Sequence, residues 1–233
     1  SGSSVIGVQG VTNSKLAIED ITWETTTTYD IGADLNFLGD RLTVNFDWYY
    51  KKTRNMLIEL DIPSFMGYSA PDQNAGDMNT KGWDLTLGWS DMIGDFSYGV
   101  NFNLSDYKSV MGDIGDKLTI SGGTIIASGL EYKAWYGYRS DGIFQNADEV
   151  SQSAVTSATV QPGDIRFKDL SGANGVPDGI INNDYDRTVI GSSLPRMNYG
   201  GSIFFGWKGL DFNMTFQGVG KRDALLSAQM VQP

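Results

Sequence analysis

The 233-residue chain has no histidine and no cysteine, and the two absences remove much of the usual catalytic equipment. Without histidine there is no Ser-His-Asp system, no imidazole-held zinc and no general base of the commonest kind. Without cysteine there are no disulfides, no thiolate metal sites and no thiol nucleophile. Basic residues are few as well: 17 Lys and Arg stand against 28 Asp and Glu, for a formal net charge of -11. That sign argues against nucleic acid as a partner, because a phosphate backbone needs basic patches. No run of about 18 apolar residues is present, so no transmembrane helix is expected. The opening "SGSSVIGVQG" lacks the charged and apolar regions of an export signal. Proline is scarce at 6 residues, whereas glycine numbers 29 and aromatics make up 12%. With only 19% charged residues, the mixture argues against disorder and for many strands and turns.

What is present is alternation. In "RLTVNFDWYYK" (41–51), Leu42, Val44, Phe46, Trp48 and Tyr50 share one face, and Thr43, Asn45, Asp47, Tyr49 and Lys51 share the other. The same pattern recurs near 27–37 (Tyr29, Ile31, Leu35, Phe37), 81–90 (Trp83, Leu85, Leu87, Trp89) and 95–105 (Phe96, Tyr98, Val100, Phe102, Leu104). It returns at 197–207 (Tyr199, Ile203, Phe205, Trp207) and 210–219 (Leu210, Phe212, Met214, Phe216). Period two marks half-buried strands, so the expected fold is all-β, an antiparallel meander of about six long strands. The connections alternate in length. "LGD" (38–40), "DMIGD" (91–95) and "KG" (208–209) are hairpin turns, while 52–80 and 106–196 are long loops rich in Gly, Ser, Asp and Asn. Following the chain back and forth puts every long connection on the same side. A short helix is expected only in "NADEVSQSA" (146–154).

Two architectures suit such strands. One is a soluble β-sandwich, such as a surface glycan-binding module, because alternating strands are common in soluble antiparallel sheets. The other is a piece of a transmembrane β-barrel, with lipid on the apolar face, a wet lumen behind it, short periplasmic turns and long extracellular loops. Three features favour the membrane wall. Aromatics stand near the strand ends, where interfacial girdles lie. The opposite faces carry Asp, Asn, Thr and Gly but few long charged chains, and the loops are sorted strictly by length.

The stretches "YGYRSDGIFQNADEV" (136–150) and "PGDIRFKDLSGANGVPDGIINNDYDRTVIGSSLPRMNYGGSIFF" (162–205) closely resemble the SusC/RagA family of TonB-dependent outer-membrane transporters. The matching pieces are Gly137-Tyr138-Arg139, Asp141-Gly142-Ile143-Phe144-Gln145, Pro162-Gly163-Asp164-Ile165-Arg166, Lys168-Asp169-Leu170 and Asp186-Arg187-Thr188-Val189-Ile190-Gly191. Pro195, Tyr199-Gly200 and Phe216-Gln217-Gly218 complete the set, and the stretch from "VQGVTN" to "KKTRNML" resembles an earlier barrel segment in the same order. The resemblance implies a large barrel plugged by another domain, energised through the TonB system and capped by a SusD-like lid lipoprotein. It also implies an outer-membrane lipid setting and a glycan or peptide cargo. On this likeness residues 1–233 are an internal slice of the C-terminal half of the barrel, without plug or TonB box, and not an enzyme.

Candidate site residues fall in the second long loop. Trp135, Tyr136 and Tyr138 are candidates for stacking on substrate, with packing of the loop base as the plainer role. In the family a "DLNGDGxIDxxD"-like loop resembles a calcium loop, so Asp169, Asp178, Asp184 and Asp186, with Ser171 and Asn174, are candidate oxygen donors. The separation of Asp169 and Asp186 is too long for a 12-residue loop, and a solvated turn-rich loop without metal is the alternative. No Asp or Glu has a recognisable glycosidase setting. The Asn103-Leu104-Ser105 and Asn213-Met214-Thr215 triplets match the glycosylation pattern but fall inside expected strands.

Overall fold

Strands whose side chains alternate between oil-like and water-like partners need one apolar and one polar environment, and the architecture supplies both. The structure, a computed structural model, describes residues 21–59, 72–114, 118–157 and 159–226. Six long strands, β1 (Thr25–Phe37), β2 (Leu42–Glu59), β3 (Asp72–Ile93), β4 (Phe96–Met111), and, after a long excursion, β11 (Arg196–Trp207) and β12 (Leu210–Lys221), form one antiparallel sheet in the order β1-β2-β3-β4-β11-β12. Among the described residues the first and last of these strands have a neighbour on one side only.

The register carries each apolar row across the whole sheet. Leu35 faces Val44, Val44 faces Leu87, Leu87 faces Phe102, Phe102 faces Gly201, and Gly201 faces Phe216. The adjacent polar row runs Asp34, Asn45, Thr86, Asn103, Gly200, Gln217. A slip by one residue on any strand would mix the two rows, so the pattern pins the register. Among the described residues no second sheet covers the apolar row: Ile31 is 69% exposed, Phe46 41% and Phe212 42%. The β-sandwich alternative therefore has no support here, because its core would lie on this face. The hydrophobic cluster that does exist, Met111 and Ile114 with Met56, Met78, Ile126 and Tyr132 around them, sits beyond the upper end of the apolar belt.

All three tight turns lie at one end. Lys208 and Gly209 both take positive φ (45° and 87°), the pair a two-residue type I′ hairpin requires. Gly94, at φ 60°, opens the two-residue turn between β3 and β4. Aromatics mark the two rims of the apolar band. Near the turns, Phe96 stacks with Tyr98 and Phe205, and Phe205 stacks with Phe212 at 4.8 Å between centroids. At the other rim Tyr29 stacks with Tyr50 at 6.4 Å. From Tyr29 to Phe37 the strand runs about 26 Å along its own axis at roughly 3.3 Å per residue, which at a tilt of about 40° covers roughly 20 Å of the height of a lipid-facing band.

The strands outrun the expected bounds at the loop end. β2 continues to Glu59 and β3 begins at Asp72, so most of the segment expected as loop 52–80 is strand, and residues 60–71 lie outside the described residues. Above the apolar belt the strands no longer divide lipid from water, so the strict apolar period disappears although the strand pairing continues. The second loop, 106–196, is likewise folded. β5 (Leu118–Ser121), β6 (Thr124–Ala127), β7 (Ala134–Tyr138) and β10 (Arg187–Ser192) form a four-stranded sheet, and β8 (Ser140–Ile143) pairs with β9 (Ile165–Phe167). The expected short helix is α1, Ala147–Gln152: the Asn146 side chain accepts the Glu149 N–H at 2.9 Å, and the Glu149 carboxylate accepts the Gln145 N–H at 3.1 Å. A bridge between Val110 and Glu131, with the Met111 N–H donated to the Leu130 carbonyl, joins this unit to the top of β4.

Candidate functional site

The candidate aromatics stand on β7, and strand alternation separates them: Tyr136 and Tyr138 share one face, and Trp135 takes the other. Trp135 donates its indole N–H to the Asp223 carbonyl at 2.8 Å, tying the outer sheet to the chain just past β12. Tyr138 packs against Phe167 with 5.1 Å between centroids and donates its hydroxyl to Asn183 Oδ1 at 2.8 Å. The Arg187 guanidinium lies 5.3 Å from the Tyr136 ring centroid. Each of the three rings is half-buried and has a partner within the protein.

The acidic loop is ordered by hydrogen bonds of its own. Asp186 is fully buried, and its carboxylate accepts the N–H groups of Leu170 (2.8 Å), Ser171 (3.4 Å) and Asn182 (2.8 Å). Burial pushes its pKa up, but the three backbone bonds outweigh burial and hold the carboxyl below its ordinary value. Asp169 Oδ2 accepts the Gly179 N–H at 2.6 Å, while its Oδ1 is buried with no partner among the described residues. Asp178 accepts the Ile180 N–H at 3.0 Å and packs against Gly172, and Asp184 lies exposed at the loop surface. The loop thus brings Asp169 and Asp186 together but does not gather Asp178 and Asp184 with them. Among the described residues no three acidic side chains converge. One orphaned oxygen falls far short of the six to eight that a calcium ion takes, so the donor set for calcium is not assembled here.

Sequence reasoning missed the residues that connect the two candidate groups. Asn183 accepts from Tyr138, and its carbonyl accepts the Arg187 Nε–H at 2.8 Å, while Arg187 covers Tyr136. The register places Arg187 opposite Tyr138, so the aromatic strand and the acidic loop are one unit. The motif pieces also prove to be neighbours. Phe144 donates its N–H to the Asp164 carbonyl, and Gly163 returns one to Phe144, so the "DGIF" and "PGDI" segments hold each other. The signal was their order and spacing, which separate the two partners of a small ladder. Beneath the unit the wall itself is locked by Arg196 of β11, whose Nε and Nη2 both donate to the carboxylate of Asp106 on β4 at 2.6 Å.

A staggered antiparallel sheet with an exposed apolar belt between two aromatic rims, a hydrophilic reverse face and folded loops at one end only defines a segment of an outer-membrane β-barrel wall. The comparisons give the family. The model of the TonB dependent receptor-like β-barrel matches residues 3–187, and the chain belongs to that family. It is 30% identical over 230 residues to TonB-dependent receptor P26 of Formosa agariphila, a match covering 94% of this chain and 22% of that protein. It is 27% identical over 141 residues to TonB-dependent receptor SusC of Bacteroides thetaiotaomicron, covering 54% of this chain and 14% of that one. The fold is shared with a solved structure of the RagAB peptide importer in the open-open state: TM-score 0.69, 21% identity, 88% of this chain and 21% of that chain. The chain therefore spans about a fifth of the length of the relatives it matches across most of its own extent. Its family is a receptor class rather than an enzyme class, and its place is the bacterial outer membrane.

Proposed function

We propose that residues 1–233 form part of the barrel wall and outer loops of a TonB-dependent nutrient importer that carries a glycan or a peptide. The carrying observation is the two-sided sheet, whose continuous apolar rows suit lipid and whose polar rows suit a watery passage. The names of the relatives support coupling to TonB, and the RagAB likeness supports a two-component assembly with a lid lipoprotein of the SusD type. In this reading the wall is passive, and its folded outer unit meets cargo and lid. The test is uptake of labelled oligosaccharides and peptides by cells carrying or lacking the full-length gene, with and without a proton-motive force. Saturable, energy-dependent uptake that disappears with the gene supports the importer; uptake unchanged by both losses refutes it.

A further inference from the structure

The two rims of the apolar band treat charge differently. At the turn end Arg41 is paired with Asp91 at 3.3 Å and Lys208 with Asp95 at 3.9 Å. At the loop end, on the apolar side of the sheet, the register builds the row Tyr29, Tyr50, Lys81, Lys108 directly above the row Ile31, Trp48, Trp83, Asp106. Lys52 stands one row higher, diagonal to Lys81 across the β2–β3 pair, where side chains are about 7–8 Å apart. Lys81 and Lys108 face each other directly, and like charges so placed destabilise a sheet. Both are exposed, and none of the three lysines forms an ion pair with a described residue, although acidic residues outnumber basic ones by 28 to 17. The carboxylates nearby on this side do not compensate them. Both Asp106 oxygens are taken by Arg196, and Asp77 lies about 13 Å beyond Lys81 along β3. Met78 and Met111, which join the cluster under the head, point to the opposite face, so the lysine side stays open.

We propose that Lys81 and Lys108, with Lys52 beside them, hold the phosphate of an anionic lipid headgroup in the outer leaflet, an inference that rests on the membrane-wall reading. The chemistry fits the place. Aromatic rings mark the headgroup level, and lysine stems lie along apolar surface while their ammonium groups reach up to it. Lys81 Nζ stands 5.7 Å from the Tyr50 ring centroid, and Tyr50 donates its hydroxyl to Asn79 Oδ1 at 2.7 Å, which fixes the ring beside the ammonium. A phosphate bridging Lys81 and Lys108 replaces their repulsion with charge-assisted hydrogen bonds. Because the three lysines continue the lipid-facing surface and not the passage, their ligand is a membrane component rather than cargo.

The test uses the full-length receptor in neutral maltoside micelles, titrated with monophosphoryl lipid A, with the same lipid stripped of its phosphate, and with inorganic phosphate. The wild type is expected to bind the phosphorylated lipid about tenfold or more tightly than the stripped one, and the preference should shrink as salt is raised. Lys81→Gln combined with Lys108→Gln is expected to weaken binding of the phosphorylated lipid by about tenfold or more and to leave the stripped lipid unchanged. Lys81→Arg combined with Lys108→Arg should keep the preference, as should Lys51→Gln on the polar face. Equal affinity for the two lipids, wild-type affinity in the glutamine variant, or inorganic phosphate bound as tightly as the lipid would overturn the site. Failure of the membrane-wall reading shows separately, as a receptor that stays monomeric in buffer without detergent.

Discussion

At the scale of single residues, the most constrained groups lie above the lipid rather than in it. Asp186 is buried because three backbone N–H groups converge on its carboxylate, replacing the water it gave up. Asp186→Asn keeps the shape but removes charge and acceptor capacity. It is expected to destabilise the loop by about 1–3 kcal/mol, read as faster hydrogen exchange at Leu170 and Asn182. The pH dependence has a definite sign. The folded pKa lies below the ordinary value, so the stabilisation is complete above the unfolded value of about 3.9 and is lost as pH falls through the folded pKa. Protection of those amides, taken relative to the intrinsic exchange rate at each pH, should therefore fall under acid in the wild type and vary less with pH in Asp186→Asn. Arg196 poses a second residue-scale test. Its fork holds both oxygens of Asp106, one of which also accepts the N–H of Met197, a residue held at φ 53°. Arg196→Lys cannot reproduce the fork, so exchange at the Met197 amide should rise. Sequence reading reached Asp169 and Asp186 through the motif. It could not show that they spend most of their oxygens on backbone, because that depends on how the loop closes.

At the scale of elements, the six long strands were legible wherever lipid stands on one side and water on the other. Phe46 between Ala33 and Leu85, and Val100 between Trp89 and Ile203, follow the period without a break. The ends of β2 and β3 were not legible, since "KKTRN" and "DQNAGDMNT" carry no apolar period, although Met78 packs into the cluster around Met111 and Thr53 is buried. The short strands β5 to β10, of three to six residues, are too brief for any period to declare itself. Face identity has a direct consequence. Phe46→Lys in the full-length barrel should cost about 2–4 kcal/mol near the bilayer midplane, read as a lower urea midpoint for the folded band on unheated gels. The neighbouring Asn45→Lys, on the polar face, should shift that midpoint little.

At the scale of the whole molecule, the chain is a wall with a head. The wall supplies two unlike surfaces, and the head, built on β4 and tied by Trp135 to the chain just past β12, stands wholly on the side away from the tight turns. The central claim is that the apolar rows touch lipid and the polar rows touch water. It is tested most directly by spin labels placed one at a time in the full-length receptor in lipid vesicles, at Phe46, Leu85 and Met214 and at Asn45, Thr86 and Thr215. Labels in the first group should collide preferentially with oxygen dissolved in the bilayer, and those in the second with a water-soluble nickel chelate. Shielding of the first group from both reagents would mean a dry protein interior and would contradict the account.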